Sequence, residues 1–294
     1  MKRWRKFGEP LAILYLLPAL IPLTAFWFIP MGYVVYLSMM EWDFMSPEKL
    51  FVGFDNYTAL LENPDFYRSL RVTFTFAAGT IVPTMIGGLL LALLLHGKLA
   101  GSPMYRAILF SPWVTPTVAV SIVWSWIFEP RVGLANSLLS GFVPGGLPWL
   151  QSETWAMAAV IIVTFWKGVG WTMVFYLVAL QSVPIELQEA SRLDGSNRFQ
   201  TFYRVTLPLI SPITFFLSIV LVIDSLQAYD QINILTQGGP AGSTRTILYF
   251  FYQAAFERFQ VGEASAVIVV LVLLCVTFSL VSIWISRKKV HYLA

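Results

Sequence analysis

Long runs without a charged residue divide this chain. Residues 10–40 form 31 uncharged positions between Glu9 and Glu41, residues 72–97 form 26 before Lys98, residues 107–128 form 22 before Glu129, and residues 264–286 form 23 before Arg287. About 20 helical residues cross a hydrocarbon core, so each run suffices for one span. Two further windows tolerate isolated charges: Glu153 to Glu186 contains only Lys167, and Arg204 to Arg245 contains only Asp224 and Asp230. The pattern predicts six membrane helices over about 11–40, 72–97, 106–128, 155–181, 209–234 and 264–286, in a single transmembrane domain spanning 1–294. Backbone groups in lipid must be satisfied within the segment, and hydropathy this strong points to an all-α membrane protein and not a barrel.

Composition agrees with that class. The 294 residues are 57% hydrophobic and 12% charged, whereas soluble domains average about 45–50% and about 25%. The single cysteine, Cys275, lies in an apolar run, which excludes a disulfide framework and a thiolate metal site. The two histidines, His96 and His291, each stand near a lysine close to a span end and read as interfacial residues, so no metal centre is expected. Orientation follows from lysine and arginine. With the N-terminus inside, the inner segments carry Lys2, Arg3, Arg5, Lys6, Lys98, Arg106, Arg192, Arg198, Arg204, Arg287, Lys288 and Lys289. The outer ones carry Lys49, Arg68, Arg71, Arg131, Arg245 and Arg258, and this asymmetry places both termini in the cytoplasm. The first span starts soon after Lys6 and shows no small-residue cleavage site, so it reads as retained. Residues 41–71, with Trp42, Phe44, Phe51, Phe54, Tyr57 and Phe66 among acidic neighbours, suggest a compact outer cap. Gly133 to Trp149 and Gln237-Gly-Gly-Pro-Ala-Gly242 read as turns. Asn56-Tyr-Thr58 matches a glycosylation sequon, too short a match to carry weight.

Energy-converting chemistry is missing from the motifs. Gly97-Lys98 lacks the surrounding phosphate-loop pattern, and there is no His-Glu-x-x-His or Gly-x-Ser-x-Gly. Uphill transport would therefore draw on an ion gradient or a partner. Charges inside spans cost about 2.5–3.5 kcal/mol on insertion scales, so those present merit a role. Asp224, Gln227 and Gln231 recur at i, i+3 and i+7 and predict one polar helical stripe facing a cavity or a partner. Lys167 stands beside Trp166 and Gly168, with Trp171 and Tyr176 one and two turns on; it could pair with Asp224, snorkel, or hold a phosphate. Pro112, Trp113, Pro116 and Thr117 interrupt the third span, where prolines free carbonyls along a pathway or merely kink a helix. Aromatic faces beside amides and carboxylates suit a polyol.

The longest polar interruption of the second half is Leu187 to Pro208, in a loop that begins at 182. Ser182 and Pro184 suit a helix start. Val183, Leu187, Ala190 and Leu193 fall on one face opposite Glu186, Glu189 and Arg192. Gly195 suits a left-handed stop, Ser196 can cap a second helix, and Pro208 ends the unit. Glu189-Ala190-Ser191, then Gly195, then Val205-Thr206-Leu207-Pro208 resembles the EAA loop of permease subunits of bacterial ABC importers, with Ser191 and Val205 in place of alanine and isoleucine. Ala179 to Pro184, Leu235 to Pro240 and Phe51 to Tyr57 are similar to the carbohydrate branch, in particular to F-type maltose, trehalose and glycerol-3-phosphate permeases.

That resemblance implies a type I importer permease fold with a cytoplasmic coupling helix. It implies partners: a second permease, a G-type paralogue in a heterodimer, two cytoplasmic ATPase subunits that use ATP and magnesium, and an extracytoplasmic solute-binding protein. No cofactor on this chain, no catalytic residue and no nucleic acid is implied; the setting is the lipid of a bacterial inner membrane. The coupling residues would be Glu189, Ala190, Arg192, Asp194, Gly195, Leu207 and Pro208. Counting along the family motifs places sugar contacts at Trp113, Thr117, Gly168, Trp171, Leu221, Ser225 and Ala228, beside Lys167, Asp224, Gln227 and Gln231. The rivals are a gradient-driven transporter acting through Asp224, and a membrane enzyme that would lack a nucleophile–base pair.

Overall fold

The computed structural model describes residues 10–97 and 101–289. Lys2, Arg3, Arg5, Lys6, Lys98 and His291, used above for orientation or as interfacial markers, lie outside them, and so does the Gly97-Lys98 pair as a pair. In chain order, α1 (Pro10–Leu23) and α2 (Ile29–Leu37) are joined by a π-helical turn at Thr24–Phe28, and β1 (Met40–Glu41) pairs antiparallel with β2 (Leu50–Phe51). Next come α3 (Asp55–Glu62), α4 (Pro64–His96), α5 (Ser102–Val114), α6 (Thr117–Ile127), α7 (Leu134–Leu139) and α8 (Glu153–Gln181). After α9 (Ile185–Leu193) and α10 (Arg198–Thr201), a second π turn at Phe202–Thr206 leads into α11 (Leu207–Leu209) and α12 (Ser211–Leu226). The chain ends with α13 (Asp230–Leu235), α14 (Ile247–Tyr252), a third π turn at Gln253–Glu257, and α15 (Val261–Lys289).

Four helices are long and apolar enough to cross a membrane by themselves: Tyr15–Leu37, α4, α8 and the Val261–Trp284 part of α15. Two bent pairs raise the number to six if each is one span: α5 with α6, at 98°, and Arg198–Leu209 with α12, at 64°. The expected single helix over 106–128 is thus two. Pro116 has no amide hydrogen and forces Thr115 before it into extended backbone, at φ −72° and ψ 134°. The expected start of the second span at 72 falls eight residues inside α4. Pro64 and Asp65 open that helix where a missing donor and a carboxylate are both tolerated, and Arg68 and Arg71 lie within its first two turns. Freedom from charge marks depth in lipid and not the ends of a helix.

Among the described residues contacts cluster in two units, one of residues 10–63 and 251–270, the other of 64–97, 101–250 and 271–289. In the first, the segment expected as a cap folds on its own polar side chains. Asn56 Nδ2 donates to the carbonyls of Ser38 and Met40, each at 2.9 Å, so the sequon asparagine is an internal tie. Lys49 Nζ lies 4.3 Å from the Trp42 ring centroid and bonds the Tyr33 hydroxyl. Phe66, assigned to the cap, is buried in α4 of the other unit.

In the second unit α4 packs along α8. A β-carbon on Gly88 would meet Thr172 at 2.7 Å, and one on Gly170 would overlap the carbonyl oxygen of Leu109 in α5. Small residues let membrane helices approach this closely where lipid provides no hydrophobic drive. Below, Ala92, Met173, Tyr176, Leu177, Leu180, Ile210 and Leu217 form a continuous buried core. The loop before α8 is organised by Asn136, whose Oδ1 accepts from Trp149 Nε1 and the Leu147 amide, each at 2.9 Å.

Candidate functional site

A cavity of about 340 Å³ opens within the second unit. Its walls come from α4, α8, the α5–α6 break and the α12–α13 break. Both breaks are positions where backbone groups leave the helical ladder, which in a membrane protein is tolerated beside a water-filled cavity.

Ten of the eleven expected substrate residues meet here. Trp113 and Thr117 flank the first break. Lys167 and Gly168 project from α8, and Leu221, Asp224 and Ser225 from α12. Gln227, Ala228 and Gln231 come from the second break and the start of α13. Trp171 does not line the cavity. It stacks on Trp113 with centroids 5.1 Å apart and planes at 25°, backing the ring that does. Tyr176 is buried in the core two turns away.

The expected helical stripe of Asp224, Gln227 and Gln231 does not exist as a stripe, because α12 stops at Leu226 and Gln227 leaves the helix at φ −100°, ψ 15°. The three groups share one cavity because the chain turns. Neither proline nor glycine causes the stop. Thr246, fully buried, donates its hydroxyl to the Ala228 carbonyl at 3.0 Å and satisfies an acceptor that the helix has released. Arg245 beside it pairs with Asp65 at 2.5 Å.

Lys167 makes no ion pair with Asp224 among the described residues. Its Nζ donates to the Trp113 carbonyl at 3.1 Å and lies 5.1 Å from that ring's centroid. The carbonyl is one freed near the α5 end, so ammonium and break stabilise one another. Thr80 and Thr84 of α4 complete the lining, with Thr80 Oγ1 and Ser225 Oγ 3.3 Å apart. Sequence reasoning passed over these two, along with Tyr229 and Asp230 as lining groups. A signal existed: Thr73, Thr80 and Thr84 share one face of α4 and are all buried.

The second candidate region, 182–208, is helix, turn, helix. Pro184 precedes α9, and Gly195 stops it at φ +85°. Two details differ from expectation. Asn197, and not Ser196, caps α10: its Oδ1 accepts from the Gln200 amide at 2.8 Å while Gln200 Oε1 accepts from the Asn197 amide at 2.9 Å. An amide on residue 200 suits that reciprocal box, which Ser196 cannot form from one position earlier. Pro208 does not end the second helix but sits inside α11, and the bend falls at Ile210. Following the π turn, proline there occupies a first-turn position that needs no donor. Glu189, Ala190, Arg192, Asp194, Gly195 and Pro208 are exposed, while Leu207 packs on the core. Of the expected apolar face, Val183 is buried, but Leu187 and Leu193 are 44% and 89% exposed. Nothing in this chain covers them among the described residues.

Comparison with known proteins gives a consistent picture. Residues 69–290 match the family model described as "Binding-protein-dependent transport system inner membrane component". The chain is 35% identical to the probable ABC transporter permease protein YurN of Bacillus subtilis, over 91% of this chain and 92% of that protein. It is 32% identical to the trehalose/maltose transport system permease protein MalF of Thermococcus litoralis, over 95% and 94%. Among solved structures it resembles a chain of a bacterial ABC transporter involved in import of the acidic polysaccharide alginate, with TM-score 0.82, 23% identity and 96% of both chains covered.

Proposed function

The chain belongs to the family of inner-membrane components of binding-protein-dependent transport systems, and on that premise we propose that it lines the pathway of an ATP-driven importer for a sugar or sugar-like solute. It is a multi-pass permease subunit and not itself an enzyme. The observation that carries the solute reading is the cavity at two helix breaks, where an aromatic face at Trp113 stands beside carboxylate, amide and hydroxyl groups. Ring faces take the C–H surface of a pyranose, and polar side chains exchange hydrogen bonds with its hydroxyls. Relatives named for trehalose/maltose and diacetylchitobiose uptake support a saccharide.

In this reading 182–208 is the coupling element. Leu187, Ala190 and Leu193 offer an uncovered apolar face on α9, Glu189, Arg192 and Asp194 surround it with charge, and Gly195 fixes the turn. Its occupant would be one of two cytoplasmic ATPase subunits, which bind ATP and magnesium themselves. A second permease of the G type would complete the pathway, and an extracytoplasmic binding protein would deliver the solute. Both termini would then be cytoplasmic, in a bacterial inner membrane, and no contact with nucleic acid is required.

The test is affinity purification of the tagged chain followed by ATPase assays. Glu189→Lys and Gly195→Pro should leave the assembly recoverable and abolish solute-stimulated hydrolysis. Recovery without any ATPase subunit, or normal stimulation in both variants, would sink the coupling reading.

A further inference from the structure

The charges of the cavity distinguish between solutes that the relatives' names leave together. Three ionisable side chains of opposite sign line it: Lys167, Asp224 and Asp230. The Asp230 carboxylate acts electrostatically on the Lys167 ammonium. That ammonium is further held by the Trp113 carbonyl and ring. Asp224 has no ion-pair partner among the described residues. The helix ends do not alter this balance. Each break contributes one C-terminus and one N-terminus: α5 with α6, and α12 with α13. Half-charges of opposite sign therefore stand side by side at each break. Side chains decide, and they leave one carboxylate in excess.

We propose that the cavity is charge-selective, accepting uncharged or cationic saccharides and excluding phosphorylated or uronate ones, with Asp224 as the excluding group. The proposal rests on the cavity being the solute site. Asp224 lies one turn before the break, next to Ser225 and across from Thr80 and Thr84. A neutral sugar hydroxyl can donate to its carboxylate. A solute carboxylate or phosphate would have to approach it inside the cavity, where the two like charges stand at short range and repel. Lys167 does not rescue the anion, since its single charge, held at the Trp113 carbonyl and ring, stands against two carboxylates. Selection here works by repulsion, which separates substrates that share a sugar skeleton.

Saturation-transfer difference NMR on the purified permease assembly in nanodiscs, without any soluble binding protein, tests this. The probes are maltose, the cationic chitosan disaccharide and a galacturonate disaccharide. Maltose and the chitosan disaccharide should give signal, and the galacturonate disaccharide at least about tenfold less. Asp224→Asn should bring the galacturonate signal to within about threefold of maltose, while Asp224→Glu should keep it excluded. A galacturonate signal equal to that of maltose in the unaltered chain overturns the proposal, as does a ratio unmoved by Asp224→Asn. Disaccharide signals that persist in Trp113→Ala show instead that the solute site lies elsewhere. Silence from all three probes would remove the cavity as a saccharide site and the charge rule with it.

Discussion

Gly170 has no room for a β-carbon, because the Leu109 carbonyl of α5 occupies that place. Gly170→Ala must push α5 off α8, and inserting even one methyl into a packed interior costs about 1–3 kcal/mol. A lowered melting temperature in detergent, with weakened solute binding because Trp113 rides on α5, is the expected result. An unchanged melting curve would mean that α5 shifts freely. Thr246 acts at a distance of one hydrogen bond from the cavity. Thr246→Val keeps the shape and leaves the Ala228 carbonyl unpaired, a loss of about 1–3 kcal/mol. Solute affinity should fall while ATPase co-purification persists, and Thr246→Ser should restore it; equal affinities in all three forms would show that the second break holds without this bond.

Elements were legible in the sequence to the extent that one physical constraint dictated them. The cost of charge in lipid located α4, α8 and α15 without any structural information, and the left-handed requirement at Gly195 located the stop of α9. Breaks were less accessible. Pro116 announces its own, but after Leu226 no such residue stands, and the Ala228 carbonyl finds its donor in Thr246, 18 residues further along the chain. Periodicity could not reveal it, so Asp224, Gln227 and Gln231 were grouped for the wrong geometric reason. Thr80 and Thr84 vanished for another cause: threonine hardly alters an averaged hydropathy, although its hydroxyl alters a cavity wall. Local polar bonding was partly visible in 182–208, where the Asn197–Gln200 spacing spells a capping box. Asn197→Ala removes the side-chain acceptor of the Gln200 amide, at about 1 kcal/mol, so amide exchange over 198–201 should speed roughly fivefold. Exchange at the unaltered rate would mean that tertiary contacts alone hold α10.

For the molecule as a whole, exposed apolar side chains cover what the membrane would touch. Only 6% of the most apolar stretch of Tyr15–Leu37 is buried within the chain, against 44% in α8. The first helix therefore depends on lipid or another subunit, whereas α8 is the internal post on which the cavity is built. One feature of that cavity reaches beyond contacts. Its 340 Å³ corresponds to the share of roughly eleven molecules of liquid water, at about 30 Å³ each. On the proposed reading, a disaccharide of comparable bulk would exchange with that water every time it entered or left, and turnover would be linked to the activity of the solvent itself. Uptake by the reconstituted importer should change steeply with osmotic stress from a polymer too large to enter, favouring solute entry and slowing the return to the hydrated state. A rate indifferent to osmotic pressure would mean that solute and water never compete for the same space. The two helix breaks thus set a volume as well as a set of contacts.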